Sequence, residues 1–227
     1  MHIYLSLGAP PTAMSSGRQR REELRRLVAR EAAWLLYTGH VDEYKMAKEM
    51  AARALGARIL PSNLEVALEL DKLADELEGP ERARRLVEAR REALALMRVL
   101  ERFWPRLVGS VWRGIAHRGS DVDIEVFWDD PGAVEEALRA AGYKVRERRL
   151  VEKQEDDRLI TCHHIYVDLP SGREAEVIVR PEAERFRRRH CEVFGDELRG
   201  LTPDELERLL AEEPLKKFLP PRAREPS

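Results

Sequence analysis

The stretch that decides the fold is residues 107–126, which read LVGSVWRGIAHRGSDVDIEV. An apolar pair is followed by Gly109, which lets the backbone turn tightly and approach a ligand closely. Ser110 then adds a hydroxyl and a backbone N–H. If a helix begins at Ser110, its free N–H groups form a site for an anion such as phosphate. The first half of the stretch therefore predicts a phosphate-binding turn.

The second half of the stretch has the alternation of a β-strand. Asp121, Asp123 and Glu125 alternate with apolar residues, so the carboxylates should share one face while the apolar side chains enter the core. Two aspartates two positions apart are roughly 7 Å apart along a strand, and both can bind a pair of metal ions separated by about 3.5–4 Å. Oxygen ligands of this kind suit two Mg²⁺ or Mn²⁺ ions.

A third carboxylate for this metal pair is expected from another strand. Residues 173–180 alternate in the same way and carry Glu174 and Glu176 on one face. Glu176 lies deeper in the run, so it is the preferred third ligand, and Glu174 is the alternative.

Three short motifs in this region carry a family resemblance. They are Gly109-Ser110, Arg113-Gly114 and Ser120-Asp121-Val122-Asp123. Together they resemble the signature of the nucleotidyltransferase superfamily that includes DNA polymerase beta. The spacing is most similar to that of the minimal nucleotidyltransferases, and residues 164–167 and 174–179 more distantly resemble archaeal CCA-adding enzymes. The resemblance covers about residues 105–180.

The resemblance implies a role for each candidate site residue. The nucleotide-binding residues would be Gly109, Ser110 and Arg113, with Arg113 supporting either a phosphate or the loop, and the catalytic metal ligands would be Asp121, Asp123 and Glu176. The chain departs from the family pattern in two places. The third carboxylate is Glu where many relatives use Asp, and Trp112 stands where relatives often carry a small residue.

The resemblance also implies a reaction. A nucleoside monophosphate would pass from a nucleoside triphosphate to an acceptor hydroxyl, with release of pyrophosphate. The net charge of −2 favours a protein or a small molecule as the acceptor, whereas the basic cluster Arg185–Arg189 and the CCA-like segments favour RNA. The alternative is a catalytically inactive nucleotide-binding or antitoxin-like interaction module, because fold does not imply function.

Composition limits the protein class. Charged residues make up 36% of the 227 residues, above the usual quarter or so, and this excess is typical of thermophile proteins or of GC-rich coding. Cys162 and Cys191 are too few for a disulfide framework, and their spacing to the nearby histidines fits no zinc motif. The sequence has no long apolar run and no signal peptide, so a cytoplasmic protein with no membrane contact is expected.

The fold class expected is α+β, with an N-terminal helical domain followed by a nucleotidyltransferase-type mixed sheet flanked by helices. The expected boundaries are a flexible arm over 1–17, a helical domain over 18–104, a nucleotidyltransferase domain over 105–213 and an extended tail over 214–227. Met14 is an alternative start to Met1. The helical domain is a candidate surface for a homo-oligomer.

Periodicity and capping residues predict the individual elements. Helices are expected over about 19–38, 42–55, 62–78, 81–104 and 132–141, and strands over about 144–152, 158–168 and 173–180. Capping boxes are expected at Ser62–Glu65 and Thr202–Glu205. Trp104 is expected on the buried face of the fourth helix.

Overall fold

The computed structural model of the protein describes residues 17–155 and 158–221. The predicted flexible arm, apart from Gly17, and the alternative start at Met14 lie outside the described residues. The fold is α+β, as the sequence predicts, with a group of helices followed by a mixed sheet. In the described part of the chain, no helix is both long and apolar enough to cross a membrane.

Four helices precede the sheet. They are α1 (Gly17–Tyr37), α2 (Tyr44–Ala54), α3 (Asn63–Glu78) and α4 (Pro80–Val99). The predicted capping box at the start of α3 is confirmed, because the Ser62 hydroxyl accepts from the Glu65 N–H and the Glu65 carboxylate accepts from the Ser62 N–H. The first three helices share an apolar cluster that includes Val28, Ala51 and Val66.

The predicted end of α4 at residue 104 is wrong. The helix stops at Val99, and a short 3₁₀ turn over Glu101–Phe103 follows. Trp104 has a φ of 57° and is 45% exposed, so it does not belong to the buried face. Pro105 disfavours the helical conformation in Trp104, the residue before it, but α4 has already ended five residues earlier, where no proline stands.

The sheet has five strands, which are β1 (Arg106–Val108), β2 (Val122–Phe127), β3 (Lys144–Glu155), β4 (Arg158–Asp168) and β5 (Glu174–Arg180). The remaining helices are α5 (Gly109–Arg113), α6 (Pro131–Ala140) and α7 (Pro203–Glu212).

The strand order in the sheet is β1-β2-β5-β4-β3. Strands β2 and β5 are parallel, and every other neighbouring pair is antiparallel. The parallel pair requires the long connection through α6, β3 and β4, which carries the chain back to the same end of the sheet.

One face of the sheet is covered by helices and forms the main core. Ile124 of β2 and Val177 of β5 pack in the same cluster as Met97 of α4, Leu138 of α6 and Leu206 of α7. The core of α4 is therefore continuous with that of the sheet. The predicted domain boundaries stay predictions. The opposite face, which carries the alternating acids, is left free of these helices.

A fully buried arginine joins α4 to α5 and to the chain after α7. The guanidinium of Arg90 donates to the carbonyls of Val111 and Trp112 at 3.1 and 3.0 Å, and to those of Pro214 and Lys216 at 2.6 and 2.9 Å. Burial lowers the pKa of Arg90 to about 10. The planar guanidinium presents donors in several directions at once, so one side chain fixes both α5 and the chain after α7.

Replacement of Arg90 by Met should destabilise the protein by about 3 kcal/mol or more, because four carbonyls would lose a charged donor. Urea unfolding followed by circular dichroism measures this cost. The matched control is Arg91→Met, since Arg91 is the exposed neighbour on the same helix. Equal unfolding midpoints for the two variants would show that Arg90 does not hold these segments.

Candidate active site

The predicted acids lie in one row across the free face of the sheet. Asp123 of β2 is directly opposite Glu176 of β5, and Glu176 is directly opposite Tyr166 of β4. On the other side of Asp123, Val108 of β1 is its partner. Asp121 immediately precedes β2. The structure thus brings two of the three predicted carboxylates to neighbouring positions on parallel strands.

Gly109 lies in contact with Asp123. A Cβ added at Gly109 would be 1.9 Å from Oδ2 of Asp123, and the φ of Gly109 is +68°. Both facts require glycine at this turn. Gly109 and the half-buried Ser110 are the first two residues of α5, so the predicted helix start lies beside the carboxylate.

Burial and mutual repulsion raise the pKa values of both aspartates. Burial, followed by Glu176, Asp121 and Glu125, raises the pKa of Asp123 to about 8. For Asp121, burial and the two glutamates of β5 raise the pKa to about 6, against the opposing effect of Arg173. A concentration of like charge of this kind is relieved by a bound cation, and the oxygen donors fit Mg²⁺ or Mn²⁺.

The third carboxylate is held by two neighbours that sequence reasoning missed. His164 Nδ1 lies 2.6 Å from Glu176 Oε1, and Tyr166 donates a second hydrogen bond. Burial raises the pKa of Glu176, but these hydrogen bonds outweigh it and hold the pKa below its usual range. Glu174 is instead paired with Arg146 at 2.8 Å. The pairing of β2 with β5 also places Glu176, and not Glu174, opposite Asp123.

Metal ligation by these residues stays a prediction. Within residues 17–155 and 158–221, no three His, Cys, Asp or Glu side chains are grouped so that they could hold one metal ion. The Glu176 carboxylate is hydrogen-bonded to His164 and Tyr166. A metal ion shared with the aspartates would require the same carboxylate to keep these hydrogen bonds and to ligate the ion.

The expectation that Arg113 reaches a phosphate does not fit the structure. Arg113 is buried, with its guanidinium paired to Asp196 at 2.7 Å and donating to the Phe218 carbonyl at 2.9 Å. It also stacks between the rings of Trp112 and Phe194. Arg113 therefore joins the end of α5 to the segment that carries Asp196 and to Phe218.

The free face of the sheet is the floor of a cleft. The cleft has a volume of about 330 Å³, at the lower end of the range for small-molecule sites. Gly109 and Asp123 lie at one end, His164 and Ile178 line the floor, and residues 189–193 form a wall.

A buried ion network fastens this wall to the sheet. Arg189 makes two hydrogen bonds to the carboxylate of Glu125, one of them at 2.7 Å. Arg180 lies 3.6 Å from Glu125 and binds Glu155 at 2.6 and 3.0 Å. Because Glu125, Arg180 and Arg189 are almost fully buried, their charges are compensated within the network and not by water.

The basic cluster Arg185–Arg189 does not form one patch. Arg189 is buried against Glu125, whereas Arg188 is exposed and lies 3.9 Å from Glu197. Arg185 stacks on the ring of Trp104. The sequence places four arginines close together. In the structure this segment is neither helix nor strand, and the arginine side chains contact different neighbours.

The chain has a distant structural likeness among known proteins. No family model matches the chain, and no curated protein matches it. A solved structure described as "Structural Basis for the Activity of a Cytoplasmic RNA Terminal U-transferase" is similar over 52% of this chain, at 18% identity and a TM-score of 0.28. The match spans 34% of that protein, so the chain covers about a third of its length.

Replacement of Arg189 by Met should cost about 3 kcal/mol of stability, because the buried Glu125 carboxylate would lose its main partner. The double variant Arg189→Met/Glu125→Met should recover part of this loss, since no unpaired charge then stays behind. Thermal unfolding compares both with Arg188→Met at the exposed neighbour. A loss in Arg189→Met no larger than in that control would contradict the role of the ion network.

Proposed function

We propose that the protein is a nucleotidyltransferase that moves a nucleoside monophosphate from a nucleoside triphosphate to an acceptor hydroxyl and releases pyrophosphate. The observation that carries the proposal is the contact of Gly109, at the start of α5, with Asp123, which lies opposite Glu176. A phosphate-binding turn and a row of carboxylates then meet at one point of the sheet.

Each part of this arrangement has a task in the proposed reaction. Backbone N–H groups at the start of α5 bind the phosphates. Asp121 and Asp123, with Glu176 as the third ligand, would hold two Mg²⁺ or Mn²⁺ ions, which supply positive charge to the phosphates and lower the pKa of the acceptor hydroxyl. His164 and Tyr166 orient Glu176 and keep it ionised.

The acceptor enters from the cleft. The cleft is small and lined by several acids, which, with the near-neutral net charge of the chain, supports a protein side chain or a small molecule as the acceptor. An RNA end is the other acceptor class to test.

A second candidate function is a catalytically inactive nucleotide-binding or antitoxin-like module. The observation that favours it is the engagement of Glu176 by His164 and Tyr166. If these two hydrogen bonds keep a metal ion away from Glu176, the acid row lacks its third ligand. Nucleotide binding without turnover distinguishes this candidate from the enzyme.

The decisive experiment is the transfer of label from α-labelled ATP, GTP, CTP and UTP, with Mg²⁺, into host RNA and host protein. Asp121→Ala/Asp123→Ala serves as the blank. We expect Asp123→Ala to abolish labelling and Glu176→Gln to lower it by about 100-fold, while Glu174→Gln retains it. Loss in Glu174→Gln with retention in Glu176→Gln would reverse the choice of third ligand. Intact nucleotide binding with no label in either fraction would support the inactive module.

A second variant tests the contact between the glycine turn and the carboxylate. Gly109→Ala should lower transfer by about 100-fold, because the new Cβ displaces the Asp123 carboxylate and small misplacements are costly in catalysis. Gly142→Ala is the matched control, since Gly142 also has a positive φ, of +87°, but no atom within 4 Å of its added Cβ. Both variants place a Cβ on a backbone of positive φ. Equal transfer by the two would contradict the role of the contact.

A further inference from the structure

Of the three acids Asp121, Asp123 and Glu176, only Asp121 lies outside a strand. The parallel pairing of β2 with β5 begins at Val122 and Ala175, and it places Asp123 opposite Glu176. Asp121 lies one residue before β2, at the end of the loop that follows α5. The position of its carboxylate therefore depends on what holds this loop.

The first part of the loop is fixed by side chains of α3 and α4. The buried guanidinium of Arg82 donates to the carbonyls of Ile115 and Ala116 at 2.8 and 2.9 Å. The carboxylate of Glu78 accepts from the Arg118 N–H at 2.8 Å. A guanidinium can serve two carbonyls at once because its donors are held in one plane. The backbone of the loop is therefore held as far as residue 118.

The last part of the loop is a turn that Arg173 holds from outside. Within the turn, the Ser120 N–H donates to the His117 carbonyl and the His117 N–H donates to the Ser120 hydroxyl, both at 2.9 Å. Nη1 of Arg173 donates to the Ser120 carbonyl at 3.2 Å. This carbonyl belongs to the planar peptide unit that joins Ser120 to Asp121. The hydrogen bond therefore restrains the direction in which the Asp121 side chain leaves the backbone.

Arg173 is in turn fixed by its connection to α4. The carboxylate of Glu92 accepts from the N–H and from the hydroxyl of Ser171, both at 2.7 Å, and so fixes the turn before Arg173. Nε of Arg173 lies 4.0 Å from Glu92, which is too far for a hydrogen bond. The side chain of Arg173 is only 10% exposed, so its orientation is set by these protein neighbours.

We propose that Arg173 is a positioning residue that holds Asp121 in the acid row through the Ser120 carbonyl. The proposal rests on the proposed function for the task of Asp121, which is to ligate a metal ion. The position of the loop can be measured without that assumption. Loss of a group that orients a metal ligand typically weakens metal binding by about 10- to 100-fold.

The sign of the effect on metal binding separates positioning from charge. By its charge alone, a guanidinium near a cation site repels the cation, so its removal would strengthen cation binding. If Arg173 positions Asp121, its removal lets the carboxylate move and weakens cation binding. The two roles therefore predict opposite changes.

Hydrogen–deuterium exchange in the full chain measures how firmly the loop is held. Arg173→Met should speed exchange in the peptide that covers residues 117–121 by about 10-fold, because the turn loses its external hydrogen bond. Arg173→Lys keeps one donor and should recover part of the protection. Arg146→Met is the matched control, since it removes the same charge from a residue whose partners are Asp168 and Glu174.

Binding of Mn²⁺ alone, followed by electron paramagnetic resonance, tests the consequence for the site. The measurement is made under nitrogen at mildly alkaline pH, so that Asp121, whose pKa is raised by burial to about 6, is ionised in each variant. We expect Arg173→Met to weaken Mn²⁺ binding by about 10-fold or more. Arg146→Met should leave it unchanged or strengthen it, and Asp123→Ala should abolish it.

Two results would overturn the proposal. One is exchange over residues 117–121 that is no faster in Arg173→Met than in Arg146→Met. The other is faster exchange together with unchanged or stronger Mn²⁺ binding, which would show that the loop does not place Asp121 for a cation. If the unaltered chain binds no Mn²⁺, the proposed function loses its metal ions, and the exchange result alone decides whether Arg173 holds Asp121.

Discussion

The close approach of the Gly109 backbone to the Asp123 carboxylate is the constraint that organises the candidate site. Because Val108 pairs with Asp123 across the sheet, the chain that leaves β1 must pass over this carboxylate, and only a residue without a side chain fits. The same turn starts α5. The position of the first helical N–H groups relative to the acid is therefore fixed by strand pairing and by the size of one residue.

Buried arginines hold α5 and the irregular segments around this point. Arg90 binds carbonyls of α5 and of the chain after α7, Arg113 binds Asp196, and Arg189 binds Glu125. Segments without helix or strand expose many backbone carbonyls, and a guanidinium can satisfy several of these in one plane. Such groups add little net stability, yet removal of one partner is expensive. They consequently fix geometry more than they stabilise the fold.

Local signals were sufficient for most helices and strands and for the acid row, but not for the end of α4 or for β1. The capping box at Ser62 and the alternation over Asp121–Glu125 depend on residues close in sequence, and both are confirmed as structure. The partner of Arg113 is 83 residues away, and no local pattern identifies it. The support of Glu176 by His164 likewise depends on the pairing of β4 with β5. Expectations about these side chains therefore failed or were missing, although the elements that carry them were predicted.

The distribution of charge in the cleft has a consequence for the proposed reaction. Two arginines line the cleft, but Arg180 is committed to Glu155 and Arg189 to Glu125. Breaking the pair of Arg189 with Glu125 to bind a phosphate would leave a buried carboxylate without its main partner. In the proposed reaction, a triphosphate beside Asp123 would therefore take positive charge from the start of α5 and from the metal ions that the acid row would hold. Burial and neighbouring carboxylates raise the pKa values of Asp121 and Asp123, and a cation bound beside them would relieve the same repulsion.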